Sequence, residues 1–290
     1  MTTPAARLRT YMQAPGLRIM PCCFDPLSAR LIRQAGFQLS LMSGFAVSAA
    51  RLGVPDTGLI SVTEMTDQLR AICDAEPDLL VIGDGDTGYG NAMNVQRTVR
   101  GYAKAGAAAV MIEDQEFPKK CGHTGGKRVV SRAEARMKVR AAVDAARSGP
   151  HETLILARTD ARAVHGFEAA LERCHDFVEE GADIIFLEAP ESVEEMRAFC
   201  AAIDRPTMAN LVRGGKTPML PMRDLESLGY KIATYPLTLL SATIQAQRQA
   251  LAALAADGEA QVDQISFEDL KAVVGFPEYD AGAAKYRADA

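Results

Sequence analysis

The stretch LLVIGDGDTGYG, residues 79–90, decides the fold of this chain. Its first five residues carry no polar side chain, which is typical of a strand buried on both faces in a parallel sheet. Asp84 and Asp86 follow where that strand should end, and in an extended segment side chains two residues apart point the same way. Two carboxylates at one place suit Mg²⁺ or Mn²⁺. For Asp-Gly-Asp alone, a polar turn with helix-capping aspartates is the simpler interpretation.

Composition limits the possible classes of protein. The 290 residues are 48% hydrophobic with a net charge of −5, enough for one large core in a single domain. Lysines and arginines are scattered, so we expect no nucleic-acid partner. Neither an apolar run of transmembrane length nor a signal-peptide pattern occurs, and we expect a cytoplasmic protein without a membrane partner. The six cysteines form no C-x-x-C pair, which argues against a zinc ribbon or a disulfide framework.

Eight apolar runs, each closed by a polar or turn residue, predict eight strands that alternate with helices. The predicted strands are 17–24, 37–42, 79–83, 107–112, 153–157, 182–187, 206–209 and 230–234. The predicted helices are 25–35, 63–74, 92–105, 131–146, 166–180, 192–203, 222–227 and 237–256. This alternation specifies an α/β fold, a (β/α)8 TIM barrel with its chemistry on the loops after the strands. An open doubly wound sheet is disfavoured because no G-x-G-x-x-G follows the first strand.

The end of the chain continues past the eighth predicted helix. We expect residues 1–256 to form the catalytic barrel and residues 257–290 a C-terminal helical extension of the same structural domain, with a helix capped by Ser266. The apolar residues of this extension exceed what a free tail should expose, so it should pack on the barrel or on another subunit.

Carboxylates that end neighbouring strands should meet at one mouth of the barrel. Glu113, after the fourth strand, would add a third carboxylate beside Asp84 and Asp86. Asp56, in the long loop after the second strand, is a fourth candidate. Because Mg²⁺ keeps several waters and binds few carboxylates directly, we expect a mixture of direct and water-mediated contacts.

Arg158 ends the fifth predicted strand in an otherwise apolar run, where an arginine must find anionic partners. Its functional interpretation is a bidentate grip on a substrate carboxylate. The alternative is a salt bridge to Glu113 or Glu188, which end the strands on either side.

The segment after the fourth strand, residues 116–127, is called the thiol loop below. It carries Cys121 among Lys119, Lys120 and His123. Nearby positive charge favours a thiolate, so we expect a lowered pKa for Cys121 and a role in proton transfer. A solvated basic loop with a passive cysteine is the alternative. Cys121 and His123 alone do not make a zinc site.

Four motifs resemble those of the isocitrate lyase/phosphoenolpyruvate mutase superfamily: Asp84–Gly90, Glu113–Gln115, Lys119–His123 and Ala157–Asp160. The resemblance covers about residues 20–240. The Lys119–His123 motif is typical of the lyase branch, and the mutases and decarboxylases of the superfamily lack this cysteine motif. Residues 43–50 and 210–218 resemble the petal death protein and 2,3-dimethylmalate lyase group most, and 2-methylisocitrate lyase slightly less.

The resemblance implies a Mg²⁺-dependent barrel, with Mn²⁺ as a possible substitute, in a homotetramer that exchanges its C-terminal helix. Asp84 would bind the metal directly, and Asp56, Asp86 and Glu113 would hold the metal's waters. Cys121 would donate a proton from a mobile gate that also carries Lys120. The residues implied for the substrate are Ser43, Gly44, Phe45 and Arg158 for the α-keto acid, and His123, Glu188 and Asn210 for the remainder. Arg213 departs from the glutamate of the relatives, which puts the distal substrate group in doubt. We expect Arg213 near the mouth, where it could bind a distal substrate carboxylate, and the alternative is that it points to solvent.

These features predict a lyase that cleaves the C2–C3 bond of a 2-hydroxy dicarboxylate or tricarboxylate. The substrate would be a 2-alkylmalate such as 2,3-dimethylmalate, or 2-methylisocitrate, and the products an α-keto acid and a carboxylate. Two enzymatic alternatives are an oxaloacetate hydrolase or decarboxylase and a phosphonomutase-type enzyme. A metal-binding structural barrel without catalysis is the alternative outside enzymes.

Overall fold

The computed structural model describes residues 2–258 and 262–286. Eight parallel strands, paired in chain order, form a closed barrel. They are β1 (Arg18–Cys23), β2 (Leu39–Met42), β3 (Leu80–Asp84), β4 (Ala109–Glu113), β5 (Leu154–Thr159), β6 (Ile184–Leu187), β7 (Thr207–Asn210) and β8 (Ile232–Tyr235). The barrel closes where β1 pairs with β8, with Met20 opposite Thr234. The predicted TIM barrel is confirmed.

All eight predicted helices are present, with small shifts at their ends. The helices are α1 (Pro4–Gln13), α2 (Pro26–Gln34), α3 (Gly44–Val47), α4 (Val62–Ala75), α5 (Ala92–Lys104), α6 (Arg132–Arg147), α7 (Arg162–His165), α8 (Phe167–Glu179), α9 (Val193–Ala202), α10 (Met222–Leu228), α11 (Thr238–Asp257), α12 (Phe267–Val274) and α13 (Phe276–Ala284). A π-helical turn, Ser48–Leu52, continues α3. The sequence did not predict α1, α3, α7 or α13.

The barrel interior is filled by alternate side chains of the strands. Each strand contributes buried apolar residues to this core: Met20, Cys22, Leu39, Leu41, Leu80, Ile82, Ala109, Met111, Leu154, Leu156, Ile184, Phe186, Met208 and Ile232. The missed helix α1 belongs to the same core through Ala5, Leu8 and Met12. Its start follows ordinary signals, because Thr3 caps it and Pro4 occupies its first turn.

The alternation that fills the core also places the functional side chains. Residues two apart on a strand point to the same side, so the next inward positions lie at the carboxyl ends of the strands. These positions are Asp84 after Ile82, Glu113 after Met111, Arg158 after Leu156, Glu188 after Phe186, Asn210 after Met208 and Thr234 after Ile232. Polar residues therefore replace apolar ones in the last inward layer, at the end where TIM barrels carry their chemistry.

The described chain forms two compact units, one up to Thr238 and the other from Leu239 onward. The second unit contains most of α11, together with α12 and α13, and Ser266 caps α12 as predicted. The predicted domain limits, 1–256 and 257–290, stay a prediction. All six cysteines are free. In residues 2–258 and 262–286, no helix combines the length and apolar composition needed to cross a membrane.

Candidate active site

Arg158 lies buried at the end of β5 among three carboxylates. Its Nη1 is 3.2 Å from Glu113 Oε2, its Nε 2.8 Å from Asp160 Oδ2 and its Nη2 3.2 Å from Glu188 Oε2. Burial disfavours the charge on this guanidinium, but Asp160, Glu113 and Glu188 outweigh it and raise the pKa of Arg158. The sequence analysis gave salt bridges to Glu113 or Glu188 as the alternative to a grip on a substrate carboxylate. Both salt bridges are present, and Asp160 is an additional partner.

Asp84, the last residue of β3, is fixed by backbone groups on both of its oxygens. Gly44 N donates to Asp84 Oδ2 at 3.0 Å, and Asp86 N donates to Oδ1 at 3.1 Å. A Cβ added to Gly44 would lie 2.7 Å from Asp84 Oδ2, so this approach requires glycine. Burial, and then the charge of Asp86, raise the pKa of Asp84 to about 6.

The backbone conformation that brings Asp86 to the site differs from the extended one that the sequence predicted. The strand ends at Asp84, and Asp86 has a φ of 48°, so it lies in a left-handed turn and not in an extended segment. Positive φ is uncommon for a residue other than glycine and is found where the surrounding structure imposes it. The two carboxylates still come together, but Asp56, Asp84 and Glu113 line the cavity, whereas Asp86 faces Lys119.

Lys119 is a site residue that the sequence did not single out. Its buried ammonium forms salt bridges to Asp56 and to Asp86, the latter with Nζ 2.6 Å from Oδ1. Burial lowers the pKa of Lys119, but Asp86 and Asp56 outweigh it and the pKa is raised. Lys119 thus joins three segments, the loop after β2, the turn after β3 and the thiol loop.

The carboxylate group has the properties of a site for a hard divalent cation. Burial is the main cause that raises the pKa values of Asp56, Asp84 and Glu113, so neighbouring cations do not fully compensate these carboxylates. Glu113 Oε1 is buried without a hydrogen-bond partner in the described structure. In the described ranges, no three His, Cys, Asp or Glu side chains are spaced to hold a metal by themselves. The carboxylate oxygens of Asp56, Asp84 and Glu113 at the cavity wall are hard donors of the kind that suit Mg²⁺, so the chemistry of these residues fits that ion.

Cys121 lines the cavity in a half-buried position on the thiol loop. Burial raises its pKa, and a backbone hydrogen bond from His123 and the charge of Arg158 only partly oppose it. The predicted lowering of this pKa is therefore wrong. The physical reason is that burial dominates at the thiol, while the ammonium of Lys119 is paired with Asp56 and Asp86 and Lys120 is exposed to solvent. A protonated thiol at neutral pH can act as a proton donor.

His123 joins the thiol loop to the loop after β7. Lys216 N donates to its Nδ1 at 3.1 Å, so the neutral ring carries its hydrogen on Nε2. Nε2 lies 3.4 Å from Glu188 Oε1. Burial is the main cause that lowers the pKa of His123, which keeps this tautomer neutral. Asn210 Nδ2 donates to both Glu188 oxygens at 3.3 and 3.2 Å, while its Oδ1 is buried and unpaired within the described structure.

The remaining predicted residues occupy different positions around the cavity. Ser43 and Phe45 line it, and Ser43 also caps α3 by accepting a hydrogen bond from Ala46 N. Lys120 reaches the cavity from the exposed side of the thiol loop. Arg213 is exposed and does not belong to the cavity wall, which contains Val212 instead. The structure therefore brings the other predicted site residues together around Arg158 and leaves Arg213 outside.

The cavity itself is small. It encloses about 50 Å³ of free space, which holds only a few water molecules. A branched dicarboxylate needs more room, so we expect the thiol loop to move when a substrate enters.

Asp160 and Lys127 are further residues of the site that sequence reasoning missed. Asp160 accepts from Arg158 and from Lys127, whose Nζ lies 2.6 Å from Oδ1. Asp160 was visible as the end of a strand, in the motif Ala157–Asp160. Nothing in the sequence around Lys127 marked it, because a lysine in a Gly-rich polar loop is usually solvated.

The fold and these residues define a family. The sequence pattern of the phosphoenolpyruvate phosphomutase family matches residues 8–255, and the chain belongs to this family. It is therefore an enzyme of the isocitrate lyase/phosphoenolpyruvate mutase superfamily, among its lyases and mutases, as the motifs predicted.

Two curated relatives are lyases by name. The chain is 47% identical to 2,3-dimethylmalate lyase of Eubacterium barkeri over 232 residues, 80% of this chain and 79% of the relative. It is 42% identical to 2-methylisocitrate lyase of Aeropyrum pernix over 248 residues, 86% of this chain and 79% of the relative.

Two solved structures are similar over nearly the whole chain. One is an oxaloacetate acetylhydrolase in complex with the inhibitor 3,3-difluorooxalacetate, with a TM-score of 0.93, 34% identity and coverage of 98% of both chains. The other is a phosphonopyruvate hydrolase in complex with oxalate and Mg²⁺, with a TM-score of 0.86, 29% identity and coverage of 98% of this chain and 99% of the other.

The raised pKa of Cys121 gives a direct prediction. Alkylation of this thiol by iodoacetamide should be slow at pH 7 and should reach half its limiting rate only above pH 9, since the ordinary value of 9.0 is raised by burial. Mass spectrometry of the Cys121 peptide across a pH series measures this rate, with glutathione as the reference thiol. A midpoint below pH 8 would contradict the structure.

Proposed function

We propose that this enzyme is a carbon–carbon lyase that cleaves a 2-hydroxy dicarboxylate to an α-keto acid and a carboxylate. The observation that carries the proposal is the position of Cys121, a protonated thiol at the wall of a cavity that also contains Arg158 and the carboxylates. Cleavage by a retro-aldol (Claisen-type) route produces a carbanionic fragment that needs a proton. A protonated thiol at the cavity wall could supply it.

The polar end of the cavity would hold the hydroxy-carboxylate end of the substrate. Arg158 would bind a carboxylate with its guanidinium after exchanging part of its contact with Glu113 or Glu188. Asp84 would hold Mg²⁺, with Asp56, Asp86 and Glu113 contacting its waters. When bound, this ion would orient and polarise the substrate oxygens.

In the chemical step, a carboxylate of the cavity wall would accept the proton of the C2 hydroxyl and return it to the Cys121 thiolate after the products leave. After the C2 hydroxyl has lost its proton, C2 becomes the carbonyl carbon of the α-keto acid and the C2–C3 bond breaks. The electron pair of that bond passes to C3, which forms the enediolate of the departing carboxylate. The Cys121 thiol transfers its proton to C3, and closure of the thiol loop keeps water out.

The apolar part of the cavity wall favours an alkylmalate over a tricarboxylate. It includes Phe45, Val212, Pro236 and Leu237. Arg213, which could have bound a distal carboxylate, is exposed and lies outside the wall. Burial of methyl groups against such a surface is favourable, whereas a third carboxylate would need a cation there. A 2-alkylmalate such as 2,3-dimethylmalate is therefore our first choice, and 2-methylisocitrate the second.

We also propose that the chain assembles with copies of itself into a homotetramer. The second unit, from Leu239 onward, exposes large apolar side chains: Leu251, Ile265, Phe267, Leu270, Val274, Phe276 and Tyr279. Several large apolar groups this close in sequence favour burial against a protein surface. The exchange of the C-terminal helix between subunits, implied by the family resemblance, supplies a covered position for them.

A substrate screen tests the function. With Mg²⁺ present, pyruvate release should be highest for 2,3-dimethylmalate, and kcat/KM should exceed that for 2-methylisocitrate and for oxaloacetate by about tenfold or more, the usual effect of one buried methyl group or more. The variant Arg213→Glu should leave these ratios unchanged. Fastest turnover of oxaloacetate would support the hydrolase or decarboxylase instead, and no keto acid from any substrate would support a structural barrel.

A variant of the thiol completes this test. Cys121→Ser keeps the size of the side chain but raises the pKa of the donor, so kcat should fall by about 10²–10⁴ with a small change in KM. Cys200→Ser, which changes a half-buried thiol on α9, is the matched control and should keep kcat. Wild-type turnover by Cys121→Ser would remove the thiol from the mechanism.

The metal assignment predicts a loss of binding as well as of activity. Asp84→Ala should abolish turnover, and Mg²⁺ should no longer raise the melting temperature as it does in the wild type. Asp144→Ala, at an exposed position of α6, is the control and should respond to Mg²⁺ normally. Wild-type turnover of Asp84→Ala after EDTA treatment would show that the assignment is wrong.

The assembly is tested by light scattering of the full chain at micromolar concentration. We expect about four times the chain mass of 31.1 kDa. The double variant Phe267→Asp, Leu270→Asp should shift the mass downward, because it places charges on the apolar surface. A wild-type mass of one chain would refute the proposal.

A further inference from the structure

Lys127, the last residue of the thiol loop, is a buried lysine with a specific environment. Its side chain is 1% exposed, and its Nζ lies 2.6 Å from Asp160 Oδ1. The same ammonium donates a hydrogen bond to the backbone carbonyl of Gly122. Neither Lys127 nor Asp160 belongs to the cavity wall, so Lys127 does not contact the place where a substrate would bind.

The backbone of the thiol loop packs on the Arg158–Glu188 ion pair at Gly122. A Cβ added to it would lie 2.2 Å from Glu188 Oε2 and 2.6 Å from Arg158 Nη2. Only a glycine backbone can pack this closely on the pair of side chains. Because Gly122 follows Cys121 directly, whatever holds Gly122 in place also fixes the position of the thiol.

The partner of Lys127 on the barrel, Asp160, is held by several other hydrogen bonds. Asp160 accepts from Arg158 Nε and Nη2 at 2.8 and 3.0 Å, and its backbone N donates to Asp114 Oδ1 at 2.8 Å. Asp114 is in turn held by Arg173, whose Nη1 lies 3.0 Å from Oδ2. Lys127 therefore connects a loop to a fixed group of the barrel.

The ion pair of the next residue, Arg128, differs from that of Lys127 in its burial. Arg128 Nε lies 2.7 Å from Glu116 Oε2, but both side chains are exposed. Exposed pairs contribute little because water and salt screen them. The buried hydrogen bonds of Lys127 are charge-assisted and have no water to replace them, so they are the stronger connection.

We propose that Lys127 is a positioning residue that holds the thiol loop closed, with Gly122 on the Arg158–Glu188 pair and Cys121 at the cavity wall. The catalytic consequence rests on the proposed lyase function, whereas the closure of the loop does not. Replacing Lys127 by methionine removes the charge and leaves the Gly122 carbonyl without its donor. The closed loop should then lose population to an open one by about tenfold or more.

The reactivity of Cys121 measures that population without any assay of turnover. In Lys127→Met, alkylation of Cys121 by iodoacetamide at pH 8 should be about tenfold faster or more than in the wild type. Cys200 in the same molecule, half-buried on α9, is the internal reference and should react at its wild-type rate. The matched control Arg128→Met, one residue away, should change neither rate.

The outcomes separate a positioning role from a general contribution to stability. Faster alkylation of Cys121 alone supports the proposal, and kcat should then fall while the wild-type order of substrates is kept. Equal acceleration at Cys121 and Cys200 would mean that the whole barrel loosens, and no acceleration would mean that Lys127 does not hold the loop. Either result would overturn the proposal. Absence of turnover in the wild type would contradict the lyase function alone, because the alkylation rates report on the loop without it.

If Lys127→Met does not fold, hydrogen exchange in the wild type tests whether the thiol loop is closed. Closure predicts that amides of the peptide 119–127 exchange more slowly than those of the exposed loop 148–152. The second variant Lys127→Gln, which keeps a donor but no charge, should shift the exchange of 119–127 toward that of the loop 148–152. Exchange of 119–127 at the rate of an unprotected loop in the wild type would refute the closure.

Discussion

One buried guanidinium holds the mouth of this barrel together. Arg158 draws Glu113 of β4, Asp160 after β5 and Glu188 after β6 to within 3.2 Å of its nitrogens. Without that positive charge, three carboxylates would be buried close together, and an uncompensated buried charge costs several kcal/mol. The position of each carboxylate therefore depends on Arg158. Gly122 and the thiol loop pack on the pair that Arg158 forms with Glu188.

The balance of charge at this mouth leads to a second conclusion. The buried carboxylates are Asp56, Asp84, Asp86, Glu113, Asp160 and Glu188, and the buried cations that face them are Lys119, Lys127 and Arg158. Negative charge is in excess, which agrees with the raised pKa values of Asp56, Asp84 and Glu113. A divalent cation would remove this excess, so the site has an electrostatic reason to bind one.

The sequence predicted the barrel and most of the mouth because both follow from the period of the strands. Each apolar run could be read as a strand, and the polar residue at its end as a residue of the mouth. The same logic could not find Lys119, Lys127 or the thiol's environment. Loop residues have no period, and the direction in which a lysine points depends on which carboxylates the fold brings near it. Helix α1 was missed for a related reason, since its buried residues Ala5, Leu8 and Met12 are few among polar ones.

The error on Cys121 shows how sequence distance misleads about charge. Two lysines precede the thiol in the chain, but one neutralises aspartates and the other is exposed, so burial controls the pKa and raises it. A nucleophile would be weakened by that environment, because it must be a thiolate. A proton donor is helped, because it must hold its proton at neutral pH until a carbanion forms. The raised pKa thus separates two roles that a cysteine in such a loop could play, and it agrees with the acid that C–C cleavage needs.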